Sequence, residues 1–280
     1  MTITGFFGLT IHQRDGLEFR SVAKVFQQSF ESRLQMKATC DGELDIGFQG
    51  YCNTFDGINK ASVLLVGDSF AYALGPLLES LRAQTGKLVT QVGKGSCPLL
   101  DGYGVNDCLK DGIHVNQVLN SKDNIKTVLM SANYVFYSQN STDKIWTEKD
   151  FSKDRFLSAF DRTIEGHLKK SREVIVLLTI PHGIDPKACV IRPLSLSKGA
   201  CKAPMRADIE SANVFLIQHL KEKFPTVTII DPSSTFCKDG ECFASNGKDK
   251  TYYFDGWHLN RFGAEALFDQ NQDLIKSRLK

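Results

Sequence analysis

The chain is 280 residues long, 42% hydrophobic, 24% charged and 10% aromatic, a composition that supports a sizeable apolar core and excludes disordered and fibrous classes. Its 34 Lys and Arg against 32 Asp and Glu leave a net charge of +2, and the basic residues are scattered, so nucleic acid is not an expected partner. In chain order, the first sixty residues hold no clear strand and one amphipathic stretch over 17–36, with Val22, Val25, Phe26, Phe30 and Leu34 at helical spacing; they read as a linking extension, 1–60, packed on a main domain, 61–280. From Ala61 onward, short β-branched runs alternate with longer segments of helical period. The pattern predicts strands over 61–66, 88–92, 125–131, 173–180 and 226–231, and helices over 72–85, 151–170, 205–224 and 260–279. Alternation of this kind specifies βαβ units, hence a three-layer α/β/α domain with a flavodoxin-like parallel sheet. The segment 181–204 is a long connection, and loops of that length in a compact domain tend to serve function.

The longest apolar runs have the length of a buried strand, far short of the 18 or so residues a spanning helix needs. The opening ten residues lack the basic start and small-residue cleavage site of a signal peptide. Eight cysteines fall in close couples, which predicts four local disulfides, Cys40–Cys52, Cys97–Cys108, Cys189–Cys201 and Cys237–Cys242. None of the six histidines stands at ligand spacing from a cysteine, so no metal site is expected. Disulfides persist in the periplasm or outside the cell, and an exported domain without its own signal reads as the tail of a longer protein.

Chemistry gathers at strand ends. Gly67-Asp68-Ser69 follows the first predicted strand of the main domain and leads into a helix, where a serine is by default a cap. Asp255-Gly256-Trp257-His258 lies near the other end of the chain. A hydroxyl becomes a useful nucleophile when a base takes its proton, and an imidazole held in one tautomer by a carboxylate suits that task. Ser69, His258 and Asp255 are therefore the candidate catalytic residues. Gly93 and Gly95 follow the second of these strands and Asn133 the third; with the Ser69 amide they are candidate donors to an oxyanion. All of these positions follow the carboxyl ends of predicted parallel strands, where open α/β sheets place their sites. His12, His114, His167 and His219 read as surface side chains and His182 as a solvated loop histidine. Trp257 and the run Tyr252-Tyr253-Phe254 suit either stacking on a sugar ring or packing.

These motifs resemble the SGNH hydrolase family, named for a Ser, Gly, Asn and His from four motif blocks. Gly67-Asp68-Ser69 matches its Gly-Asp-Ser, and Asp255 with His258 matches its Asp-x-x-His. Ser131-Ala132-Asn133-Tyr134 stands where the family has Gly-x-Asn-Asp. Across 51–267 the chain is more specifically similar to the SGNH domains fused behind the membrane part of acyltransferase 3 O-acetyltransferases, through Leu64 to Ala71, Ser96-Cys97-Pro98, Ile184-Asp185-Pro186 with Cys189, and Asp255 to Ala264. Phe70 departs from the His common there. The resemblance implies the periplasmic domain of an inner-membrane protein, fused to an N-terminal transmembrane acyltransferase domain. It implies no cofactor bound by this chain, with acetyl-coenzyme A as the ultimate donor. The acceptor it implies is a sugar hydroxyl of a bacterial surface polysaccharide, foremost lipopolysaccharide O-antigen, reached through an acetyl-serine. A secreted carbohydrate esterase or lipase uses the same residues, and a non-catalytic glycan-binding module is a reading from another class.

Overall fold

The computed structural model describes Leu44, Phe48, residues 50–53, 56–138, 152–184, Pro186, 201–246 and 250–280. Six strands form the main sheet: β1 (Tyr51–Asn53), β2 (Val63–Gly67), β3 (Val89–Gly93), β4 (Thr127–Ser131), β5 (Glu173–Leu177) and β7 (Thr228–Ile230), in the order β1-β3-β2-β4-β5-β7. All neighbours are parallel except β1, which runs antiparallel along β3. Period-two alternation sends Leu64, Val66, Val128, Met130, Val174 and Val176 into one buried cluster and Val63, Leu65, Leu129, Ile175 and Leu177 into another, as a sheet covered on both faces requires.

The helices supply the two outer layers. After α1 (Ser69–Ala73) comes α2 (Gly75–Thr85), which packs with the C-terminal α8 (Arg261–Ser277) over the second cluster through Leu77, Leu78, Leu81, Leu267, Phe268 and Ile275. The opposite face is covered by α3 (Asn106–Ser121), α5 (Lys153–Lys169) and α6 (Ala207–Lys223), which contribute Val115, Leu119, Phe156, Phe160, Ile164, Leu216 and Leu220. Two short helices, α4 (Tyr134–Ser138) and α7 (Ser233–Phe236), follow the ends of β4 and β7. A small antiparallel sheet of β6 (Lys202–Pro204), β9 (Glu241–Phe243) and β8 (Cys237–Lys238) stands beside them.

The five parallel strands lie where the alternation placed them; β2 and β3 end one residue later than expected, and β4, β5 and β7 are two or three residues shorter. Three features differ from expectation. The first sixty residues do contribute a strand, β1, whose three residues are too few to carry a periodicity. The predicted helix over 72–85 is two helices, broken at Leu74 before Gly75 and Pro76. Helix α3 had no clear signal because its buried face mixes Cys108, Val115, Val118 and Leu119 with Asp111, Gly112 and Asn116. Asn116 earns its interior place by donating to the carbonyls of Leu99 and Gly112. The amphipathic stretch over 17–36 lies outside the described residues.

Cys97–Cys108 and Cys237–Cys242 are disulfides, the second across the β8–β9 hairpin. Cys52 and Cys201 are each disulfide-bonded; Cys40 and Cys189, their expected partners, lie outside the described residues. The histidines expected on the surface are not all there. His167 is buried against the Arg172 guanidinium, and both effects hold its pKa down at about 3, burial being the larger. His219 bonds Asp161 at 2.7 Å, and the Nε2 of His114 is buried.

Candidate active site

In the strand order, the chain leaves β2 for β3 on one side and returns to β4 on the other. That reversal opens a crevice outside the carboxyl ends of β2 and β4, the usual site position in a doubly wound sheet. Gly67 ends β2 beside Ser131 of β4, and a Cβ at Gly67 would stand 1.7 Å from the Ser131 carbonyl oxygen. Only glycine allows the two strand ends to come this close.

Asp68 follows and caps α1 by accepting from the Phe70 N–H at 2.8 Å. Its other carboxylate oxygen accepts from the Asn133 N–H at 2.9 Å and the Tyr137 hydroxyl at 3.0 Å. One buried carboxylate thus holds the serine-bearing turn after β2 against the asparagine-bearing turn after β4. Burial raises its pKa from 3.8 to about 6, against the pull of these three hydrogen bonds. The sequence reading gave Asp68 no role; its signal was only the strong preference for Asp at a helix N-cap.

Ser69 opens α1 and is partly exposed. Its Oγ lies 2.9 Å from His258 Nε2, and His258 Nδ1 lies 2.9 Å from Asp255 Oδ2. The second oxygen of Asp255 accepts from the Trp257 and His258 backbone N–H groups, both at 2.7 Å, which fixes the turn that carries the imidazole. Although burial pushes the Asp255 pKa upward, the hydrogen bonds from His258 outweigh it and hold the carboxyl below its ordinary value. An ionised Asp255 accepts from Nδ1–H, and this tautomer leaves Nε2 free to accept the Ser69 proton. The ring is stacked on Phe254, with centroids 5.4 Å apart, and tilted against Phe70 at 5.2 Å. The turn itself is closed by pairing of Tyr253 with Leu259. It is tied to the loop after β5 by the Tyr253 hydroxyl, which donates to the Pro181 carbonyl at 2.6 Å.

Of the oxyanion candidates, Asn133 sits at the crevice, buried, with its backbone N–H already given to Asp68; only its side-chain amide remains to meet a substrate. Gly93 pairs with Gly67 in register, but the N–H directed at β2 is that of Lys94, which donates to the Gly67 carbonyl. Successive peptide groups of a strand face opposite neighbours, so the Gly93 N–H is turned toward β1, away from Ser69. Gly95 is exposed in the following turn with nothing crowding it.

His182 is not a solvated loop histidine. It is buried beneath Trp257, with ring centroids 4.4 Å apart, and meets Phe70 edge-on at 5.5 Å. Burial, and then the nearby Arg206, lower its pKa to about 4.

A three-layer α/β domain with a hydrogen-bonded Ser-His-Asp chain at the switch point of its sheet has the architecture of the SGNH hydrolase class. The chain belongs to the SGNH domains that are fused to AT3 domains, whose family model matches residues 39–271. Among solved structures, the periplasmic domain of the lipopolysaccharide acetyltransferase of Salmonella ser. Paratyphi A is similar with a TM-score of 0.64 and 16% identity, over 92% of this chain and 98% of that one. A carbohydrate acetylesterase from Sinorhizobium meliloti gives 0.47 and 14%, over 78% and 99%. The aryl esterase of M. smegmatis gives 0.48 and 14%, over 78% and 100%. No curated protein matches the sequence. Among the described residues, no helix is long and apolar enough to cross a membrane.

Two outcomes are expected. Ser69→Ala and His258→Ala each remove hydrolysis of p-nitrophenyl acetate, by a thousandfold or more, with an unchanged circular dichroism spectrum. Asp255→Asn leaves more residual rate, because it disturbs the tautomer rather than removing the base. The second concerns Asp68. The folded chain holds its proton more tightly than the unfolded chain does, so its stabilising contribution is full below pH about 4 and is lost as pH rises through about 6. That loss is roughly 3 kcal/mol, at about 1.4 kcal/mol per pH unit. Urea unfolding at several pH values should show wild type losing this much relative to Asp68→Asn across the window; parallel profiles would remove the buried charge from the account.

Proposed function

We propose that this domain is the periplasmic half of a surface-polysaccharide O-acetyltransferase, which takes an acetyl group onto Ser69 and delivers it to a sugar hydroxyl, with lipopolysaccharide O-antigen the foremost acceptor. The observation that carries the reading is the unbroken hydrogen-bonded line from Asp255 through His258 to Ser69 at the open edge of the sheet. Membership of the SGNH domains fused to AT3 domains supports transfer over plain hydrolysis. In this reading a membrane-embedded partner domain supplies the acetyl group, drawn ultimately from acetyl-coenzyme A.

Each half-reaction uses the same groups. Ser69 Oγ attacks the donor carbonyl as His258 Nε2 takes its proton; the bond from the acetyl carbon to the donor's leaving group breaks, that group departs with the proton, and an acetyl-serine remains. The acceptor hydroxyl then gives its proton to His258 and its oxygen bonds to the acetyl carbon. The bond to Ser69 Oγ breaks, and the proton returns to the serine. In both tetrahedral intermediates the negative oxygen is met by the Ser69 N–H, the Asn133 amide and the Gly95 N–H.

The test supplies the isolated domain with an activated acetyl ester and de-O-acetylated surface polysaccharide from the source organism. Acetyl should appear on the glycan, one mass increment per modified residue, with only slow hydrolysis in its absence. Rapid hydrolysis that no envelope polysaccharide diverts would make the protein an esterase.

A further inference from the structure

An acetyl-serine exposed at a sheet edge is attacked by water unless a sugar hydroxyl is held in place, and oriented groups reach effective molarities of about 10⁵ M or more. The catalytic residues do no such holding, so a transferase needs a second surface next to them. Trp257 lies between Asp255 and His258 in the chain and is 46% exposed, which leaves part of a large apolar ring face in solvent. Its backbone N–H is clamped on Asp255, its ring rests on the buried His182, and the Arg206 guanidinium stands 5.8 Å from the ring centroid.

The surroundings of the indole are built rather than incidental. Arg206 forms a two-point pair with Asp208, Nε to Oδ1 at 3.1 Å and Nη2 to Oδ2, while its Nη1 donates to His182 Nδ1 at 3.3 Å. Both members of the pair stay more than one-third exposed. Gly183 donates to the Gly256 carbonyl at 2.6 Å and joins the loop after β5 to the catalytic turn. Its φ of +94° and a would-be Cβ 3.2 Å from Arg206 Cδ reserve that position for glycine. Three segments distant in sequence thus converge to hold an exposed indole and a neutral donor–acceptor pair beside His258.

We infer that Trp257, flanked by the Arg206–Asp208 pair, is the acceptor subsite: its indole stacks on the apolar face of an uncharged pyranose ring whose vicinal hydroxyls bond the pair, presenting another hydroxyl to His258 and Ser69. Arg206 is already neutralised by Asp208, so an anionic sugar gains nothing there and meets the carboxylate. The inference deepens the acetyltransferase reading and rests on it for the identity of the acceptor, though a glycan esterase would use the same surface to hold its acetylated substrate.

The chain has two tryptophans, so Trp146→Phe makes Trp257 the only emitter; combined with Ser69→Ala it gives a non-turning-over protein for titration. The de-O-acetylated surface polysaccharide should shift Trp257 emission saturably, Arg206→Ala should weaken that binding at least fivefold, and polygalacturonate should cause no shift. In the otherwise intact enzyme, Trp257→Ala should lower the ratio of acetyl delivered to glycan over acetyl delivered to water at least tenfold, and Trp257→Phe should restore most of it. Transfer with no change in Trp257 emission and an unaltered ratio in Trp257→Ala would overturn the subsite while leaving the transferase reading intact. Saturable binding at Trp257 in a protein that only hydrolyses would uphold the subsite and overturn the transferase reading.

Discussion

Everything at the active edge depends on one buried carboxylate. Asp68 is acceptor-only when ionised, and its two oxygens take the Phe70 N–H from its own turn and the Asn133 N–H and Tyr137 hydroxyl from the turn after β4. Parallel strands have no hairpin to set the spacing of their ends, so the loops that follow them must be tied by side chains. Gly67 permits the approach and Asp68 fastens it. The cost is visible in the raised pKa of the carboxyl, a stability sacrificed to hold nucleophile and asparagine in one frame.

A second tie brings the base to that frame. The Asp255–His258 turn comes from the far end of the chain and is anchored by its own backbone bonds to Asp255, by Tyr253 on the Pro181 carbonyl and by Gly183 on the Gly256 carbonyl. Phe70 then packs on both His258 and His182. One phenylalanine from the nucleophile's helix therefore touches the base and the histidine that lies beneath Trp257. An apolar ring here gives the imidazole a dry neighbour.

Most of the parallel strands were legible because strands buried on both faces read as apolar runs, as residues 63–66 and 174–177 do, while β3 carries buried Thr90 and Gln91 within its run. Helix α3 was hidden by Asp111, Gly112 and Asn116, polar or small residues that tertiary contacts keep inside. Strand β1 was hidden by brevity. Ser69, Asp255 and His258 could be read because a Gly-Asp-Ser after a strand and an Asp-x-x-His together name a Ser-His-Asp chain, although the Asp255–His258 turn follows none of the parallel strands. Asp68, His182 and Arg206 could not, since a carboxylate at a cap, a loop histidine and an arginine before a helix are each ordinary alone. Their meaning lies in contacts between segments from 24 to 73 positions apart, which no local pattern carries. That the Gly93 N–H faces β1 likewise needed the register of β3 on β2.

The central claim is that Ser69 carries the acyl group, and it is tested most directly by trapping that intermediate. The domain would be mixed with an activated acetyl ester, quenched in acid within seconds, digested and examined by mass spectrometry, alongside Asn133→Ala, which weakens both half-reactions without removing the nucleophile or base. The account predicts one acetyl increment on the peptide containing Ser69, which disappears in Ser69→Ala and is discharged when acceptor polysaccharide is added before the quench. Turnover with no acetyl on Ser69 at any quench time, or an acetyl on another residue that acceptor discharges, would contradict it.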